Sequence, residues 1–213
     1  MKDRAIADVS ATAISGLERL RMFGALLKNR ALLTLAAGSA FRTMTQGALL
    51  TFLPLYLARE MGYPTLWIGA CMFALQAGGF VAAPIAGHLS DRIGRRQIIL
   101  SSMAMSAVVI FLMLFAGGTG WFVMFVSVLG FFLFAVRAVL QAWLLDATPP
   151  AMGGSAIGLL FASQAFGQAV GPVSAGIVAD HYGLMGAFYF LAATIVVANF
   201  LVFVTPAGLI KRD

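Results

Sequence analysis

Arg42 and Arg137 are each followed four residues later by a glutamine, Gln46 and Gln141. Residues four apart share one face of a helix, so each pair sets a guanidinium beside an amide. A guanidinium donates a fork of hydrogen bonds that fits carboxylate and phosphate, and the amide adds a further donor. Both pairs sit inside long apolar stretches, where this chemistry suits binding of an anion. Arg42 lies some ~16 Å into its stretch at ~1.5 Å per residue, close to the midplane of a bilayer. An arginine that deep costs at least ~2.5–3.5 kcal/mol on insertion scales and has to face protein or water. The plainer alternative is a structural arginine satisfied by helix carbonyls. For Arg137 and Gln141, nearer the other end of their stretch, a cavity role stands beside a gating or structural one.

A second charged constellation lies between two apolar stretches, where Gly87 to Arg96 read Gly-His-Leu-Ser-Asp-Arg-Ile-Gly-Arg-Arg. Gly87 and Gly94 permit close approach and a tight turn. Asp91 can serve helix amino-termini and neighbouring arginines, while Arg92, Arg95 and Arg96 reach head-group level. A plain basic loop supplies the arginines without the glycine–aspartate–glycine framework. A third pattern is Gly158, Gly167, Gly171, Pro172 and Gly176, whose small residues let helices pack closely while Pro172 interrupts a hydrogen-bond ladder.

These residues are carried by elements that belong in a membrane. Apolar residues make up 61% of the 213-residue chain and charged ones 10%, against the ~25% charged of a soluble domain. Six stretches approach the ~20 residues needed to cross a bilayer. They are Ala31–Leu57, Leu66–His88, Gln97–Ala116, Trp121–Leu145, Ser155–Ala179 and Met185–Val204. The expected fold is all-α, with a 1–30 leader, a 31–205 transmembrane domain and a 206–213 tail. Leu17, Leu20, Phe23 and Leu27 give the leader an amphipathic stripe suited to the membrane interface, with a disordered basic leader as the alternative.

Charge predicts orientation. Lys2, Arg4, Arg19, Arg21, Lys28 and Arg30 precede the first stretch, Arg92, Arg95 and Arg96 follow the second, and Lys211 and Arg212 end the chain. The opposite side holds Arg59 alone, so both termini are expected in the cytoplasm. The net charge of +6 is then a topology signal, and no nucleic-acid partner is expected. The single cysteine, Cys71, excludes an internal disulfide and suits packing. No cleavable signal peptide is apparent.

The charged link from Gly87 to Arg96 resembles the signature loop of the major facilitator superfamily, which joins helices two and three of a six-helix repeat. The Gly158–Gly176 pattern is similar to the glycine–proline motif of that superfamily's antiporters, except that Ala175 replaces the first of two final glycines. A small-residue packing face is the plainer reading of it. The resemblance covers roughly residues 30–205. It implies one six-helix half built of inverted three-helix repeats, with helices one and four lining a cavity and three and six facing lipid. It also implies that Asp146 completes a charge relay with the loop arginines and latches the cytoplasmic side. The expected setting is the bacterial inner (cytoplasmic) membrane.

Members of that superfamily normally carry two such halves. A homodimer is the simplest completion, with a second partner chain or a fragment of a longer protein as alternatives. The functional expectation is a half-size secondary transporter that moves a small organic or inorganic anion by alternating access. Arg42 is then the main contact, and Gln46, Arg137 and Gln141 line the path. No carboxylate lies deep in any stretch, which speaks against a cationic drug exporter. An enzyme is not expected: Gly153-Gly154-Ser155-Ala156 matches a Gly-X-Ser-X string of intramembrane serine proteases, but His88 and His181 sit near helix ends. Neither cofactor nor metal is expected, and a non-transporting membrane scaffold is the minority reading.

Overall fold

The computed structural model describes residues 30–115, 120–146, 148 and 152–205. The expected leader helix and the 206–213 tail lie outside the described residues. Those described form five helices: α1 (Arg30–Arg59), α2 (Thr65–Ile93), α3 (Arg95–Phe115), α4 (Gly120–Asp146) and α5 (Gly153–Val204). No strand occurs among them. Helix is what a lipid-embedded chain requires, because it satisfies backbone polar groups within the segment. Among the described residues, the four helices α2 to α5 are long and apolar enough to cross a membrane. α1 is equally long, but Arg42, the threonines and Gln46 dilute its apolar character.

α5 has 52 residues, or ~78 Å at ~1.5 Å per residue, more than twice a ~30 Å hydrocarbon core. It is broken at Gly183, whose φ of 73° and ψ of 176° are not helical. That region of backbone space is essentially reserved for glycine. Contacts with α1 run in opposite senses on the two sides of the break. Gly167 and Gly171 meet Ala40 and Met44 in ascending order, whereas Ala198, Thr194 and Phe188 approach Gly38, Thr45 and Tyr56 in descending order. The chain therefore doubles back at Gly183, and its two arms, 153–182 and 184–204, both lie along α1. The six expected stretches thus all fall on helix, two of them in α5, with Ala116 outside the described residues.

The packing repeats itself. α1 lies along the first arm of α5, and α4 lies along α2 in the same parallel sense. Glycines make both contacts close. A Cβ on Gly171 would come within 2.5 Å of the Met44 carbonyl oxygen, and one on Gly78 within 2.7 Å of that of Ser127. Gly130 sits against the Leu75 carbonyl and Gly167 against that of Ala40, again with no room for a side chain. Small residues of this kind let backbones approach where lipid offers no hydrophobic drive between helices.

Two glycines depart from expectation. Gly87 lies within α2 with nothing near the position of a Cβ, and Gly158 is equally open. Neither makes a close approach to another helix among the described residues. Pro172 lies inside helical backbone, where it lacks the N–H donor of the ladder, and the chain breaks from helical geometry eleven residues later at Gly183. The turn between α2 and α3 is confined to Gly94, at φ 109° and ψ 136°. Its N–H donates to the Ser90 carbonyl at 3.0 Å, and its own carbonyl accepts from Ile98 at 3.3 Å.

Polar pairs and rings tie the helices together. Thr45 and Thr194 share a hydrogen bond of 2.9 Å between α1 and the second arm, and Thr205 donates to Thr34 at 3.1 Å. At the other end Tyr56, Phe122 and Phe188 form a buried aromatic triangle with centroids 5.1 to 6.1 Å apart. The outward faces of α3 and of the second arm of α5 carry Phe111 and Phe200, large exposed apolar groups of the kind expected at a lipid-facing surface.

Candidate functional site

α1, α4 and the first arm of α5 bring Arg42, Gln46 and Arg137 to a cavity of about 310 Å³. Thr43, Phe161, Gln164 and Gln168 complete its polar and aromatic wall. A second cavity of about 390 Å³ opens between α2 and α4, lined by Gln76, Phe80, Phe134, Arg137 and Gln141 among others. Arg137 borders both. The four expected binding residues are therefore divided between two neighbouring cavities, with one arginine shared. No carboxylate lines either of them.

The two arginines differ in access. Arg42 is 1% exposed. Its Nη1 donates to the Gln46 side-chain oxygen at 3.3 Å and to the Leu133 carbonyl of α4 at 3.1 Å. Its Nε is buried with no partner. A charge in that position carries a desolvation cost that one carbonyl and one amide only partly offset, so a further acceptor in the cavity would be favoured. Arg137 is exposed and has no carboxylate within salt-bridge distance among the described residues. Both guanidinia line the first cavity, where they are like charges. Arg137 is the accessible one of the two, and Arg42 the enclosed one.

Sequence reasoning assigned no site role to Gln76, Gln164 or Gln168. Gln164 donates to the Ser39 hydroxyl at 2.8 Å and is buried, which fixes the cavity wall between α1 and α5. Gln76 is the lone amide of α2, and that isolation was the available signal.

The second constellation also comes together. Arg95, first residue of α3, holds the Asp146 carboxylate at 3.0 Å and that of Asp91 at 3.8 Å. One guanidinium thus joins the end of α2, the start of α3 and the end of α4. Arg92 and Gly94 are exposed beside it. Arg96 turns the other way: it donates to the Phe203 carbonyl at the end of α5 and lies 5.8 Å over the Phe203 ring. The Arg95 and Asp146 side chains are 24% and 52% exposed, so their pairing contributes at most about 1 kcal/mol and can be made and broken readily.

The described residues thus combine membrane-length helices, a one-glycine turn flanked by charged side chains and an arginine-lined cavity among the helices. The chain belongs to the Major Facilitator Superfamily, whose match spans residues 35–212. Among named proteins it is similar to the multidrug resistance protein MdtG of Salmonella typhi, 31% identical over 156 residues, 71% of this chain and 38% of that protein. It is similar also to MdtG of Proteus mirabilis (strain HI4320), 33% identical over 156 residues, 69% of this chain and 37% of that one. The chain thus spans less than two-fifths of the length of these relatives.

Proposed function

We propose that the chain is a six-crossing unit of a secondary transporter whose cavity takes a small organic anion, and that a second copy completes the path. In this reading α5 crosses the membrane twice around Gly183, and the 31–205 domain is an inverted three-plus-three repeat. The parallel contacts of α1 with α5 and of α4 with α2 support that, since an inverted repeat exchanges them. Both termini lie in the cytoplasm, on the side of Arg92, Arg95 and Arg96.

The observation that carries the substrate reading is the cavity itself. Two guanidinia and three amides line it without a carboxylate, beside the ring of Phe161, and the neighbouring cavity that shares Arg137 adds the rings of Phe80 and Phe134. Such a wall suits an aromatic or apolar body bearing one carboxylate or phosphate. The exposed charge of Arg137 also requires cover from lipid. Exposed Phe80, which lines the second cavity with Arg137, gives that face an apolar edge, as an interface between two membrane units demands. Rocking of the two units then alternates access, and the Asp91–Arg95–Asp146 cluster latches one of the two states.

The relatives' name favours a second reading, export of drugs without a required negative charge. Reconstituted protein separates the two. Saturable uptake of radiolabelled benzoate into proteoliposomes, lost in Arg137→Gln and in Arg42→Lys, is the expected result. Transport of ethidium that survives both substitutions would replace the anion reading with the drug one.

A further inference from the structure

Away from the cavity, α3 and the second arm of α5 enclose a groove of about 500 Å³ on the lipid-facing surface. Leu100 and Ala104 form one wall, and Val196, Phe200 and Phe203 the other, with Asn199 among them. Apolar walls toward lipid need no special explanation. The polar atoms do. The Asn199 side-chain oxygen is buried without a hydrogen-bond partner, a costly state where no bulk water reaches. Arg96 sits at the groove's mouth, over Phe203, with its Nε also buried and unpartnered. No carboxylate among the described residues neutralises it, because Asp91 and Asp146 both pair with Arg95.

We propose that this groove binds one anionic glycerophospholipid, the phosphate at Arg96 and an acyl chain between α3 and the second arm of α5. The levels agree. Asn199 lies one helical turn inward from Phe203, ~6 Å at ~1.5 Å per residue. The polar layer on each side of a bilayer is of similar depth, roughly 5–8 Å. A phosphate at Arg96 therefore sets the glycerol ester region beside the Asn199 amide, which can turn either its NH₂ or its oxygen toward that group. The apolar walls then continue inward from Asn199 to Val196 and Ala104, where the acyl chain runs. Basic sites between helices at the membrane edge favour anionic over zwitterionic head groups by charge alone. Lipid held there bridges α3 and the end of α5, beside the charged cluster at the α2–α3 turn.

Native mass spectrometry of the full chain tests this, with phosphatidylglycerol and phosphatidylcholine of identical acyl chains offered in equal amounts. Phosphatidylglycerol adducts are expected to exceed phosphatidylcholine adducts at least ~5-fold. That preference is expected to vanish in Arg96→Gln and to persist in Arg92→Gln, which removes an exposed charge from the same turn. Ala104→Trp fills the exposed groove from its apolar end and is expected to reduce retention of both lipids. Equal retention of the two lipids by the unsubstituted chain overturns the proposal. So does an Arg92→Gln loss matching that of Arg96→Gln, which would mean diffuse surface charge. Full retention in Ala104→Trp, with its thermal unfolding unchanged, removes the groove from the account.

Discussion

Replacing Gly171 with alanine should destabilise the chain, whereas the same change at Gly158, in the same helix and the same motif, should not. A Cβ on Gly171 would stand 2.5 Å from the Met44 oxygen, 2.8 Å from its Cα and 3.0 Å from its carbonyl carbon. All three are backbone atoms of α1, so no side-chain rotation relieves the contact. Restoring ordinary separation requires α1 and α5 to part by roughly 1 Å, enough to forfeit a quarter to a half of each dispersion contact along the seam. Overpacking of that kind costs about 1–3 kcal/mol. Both substitutions gain the same ~1 kcal/mol of helix propensity, so the difference between them isolates the packing cost. For a chain of this size ~1 kcal/mol corresponds to roughly 2–4 °C, giving a gap of about 2–12 °C in Tm. Cys71 supplies the assay. It is the only cysteine and is 1% exposed, so a thiol-reactive fluorophore reads its release on heating in detergent. Equal Tm values for the two variants would refute the packing of α5 on α1.

Other outcomes follow from the same geometry. Asp146→Asn should lower stability by less than about 1 kcal/mol, since the pair is partly exposed, yet alter the rate of transport in proteoliposomes. The exchange Arg95→Asp with Asp146→Arg should restore part of that rate, and no recovery would argue against a latch. Gly183→Ala should cost about 1–3 kcal/mol, because alanine avoids this backbone region. The Cys71 melting assay reads it, and an unchanged Tm would mean that the reversal of α5 tolerates another conformation. Thr45→Val should cost only about 0.6 kcal/mol through loss of the bond to Thr194, and a larger fall in Tm would assign that pair a greater share of the α1–α5 contact.

The helical stretches were legible because bilayer thickness imposes a length and an apolar composition that six segments meet. The turn was legible through Gly94, the pairing of Asp91 with a neighbouring arginine through its spacing, and the part of Asp146 through resemblance alone. Contacts made by shape were not. Gly158 and Gly171 look alike in sequence, and only the position of Met44 separates them. Gly78 and Gly130 carry the α2–α4 contact without any pattern that marked them. Arg42 showed its depth, but the carbonyl that holds it belongs to Leu133, 91 residues away. That long-range partner encloses Arg42, while Arg137 stays exposed, a difference in access that the sequence does not display.

The central claim is that the face bearing Arg137 meets the same face of a second copy. Disulfide trapping in native membranes tests it most directly, with Cys71→Ser as background and single cysteines at Gln76, Ala138 and Gln168 on the cavity face. The account predicts covalent dimers from one or more of these positions, and none from cysteines at Phe111 or Phe200 on the α3 and second-arm surface. Monomer at all three cavity positions, or dimers formed through Phe111 or Phe200 instead, would contradict it.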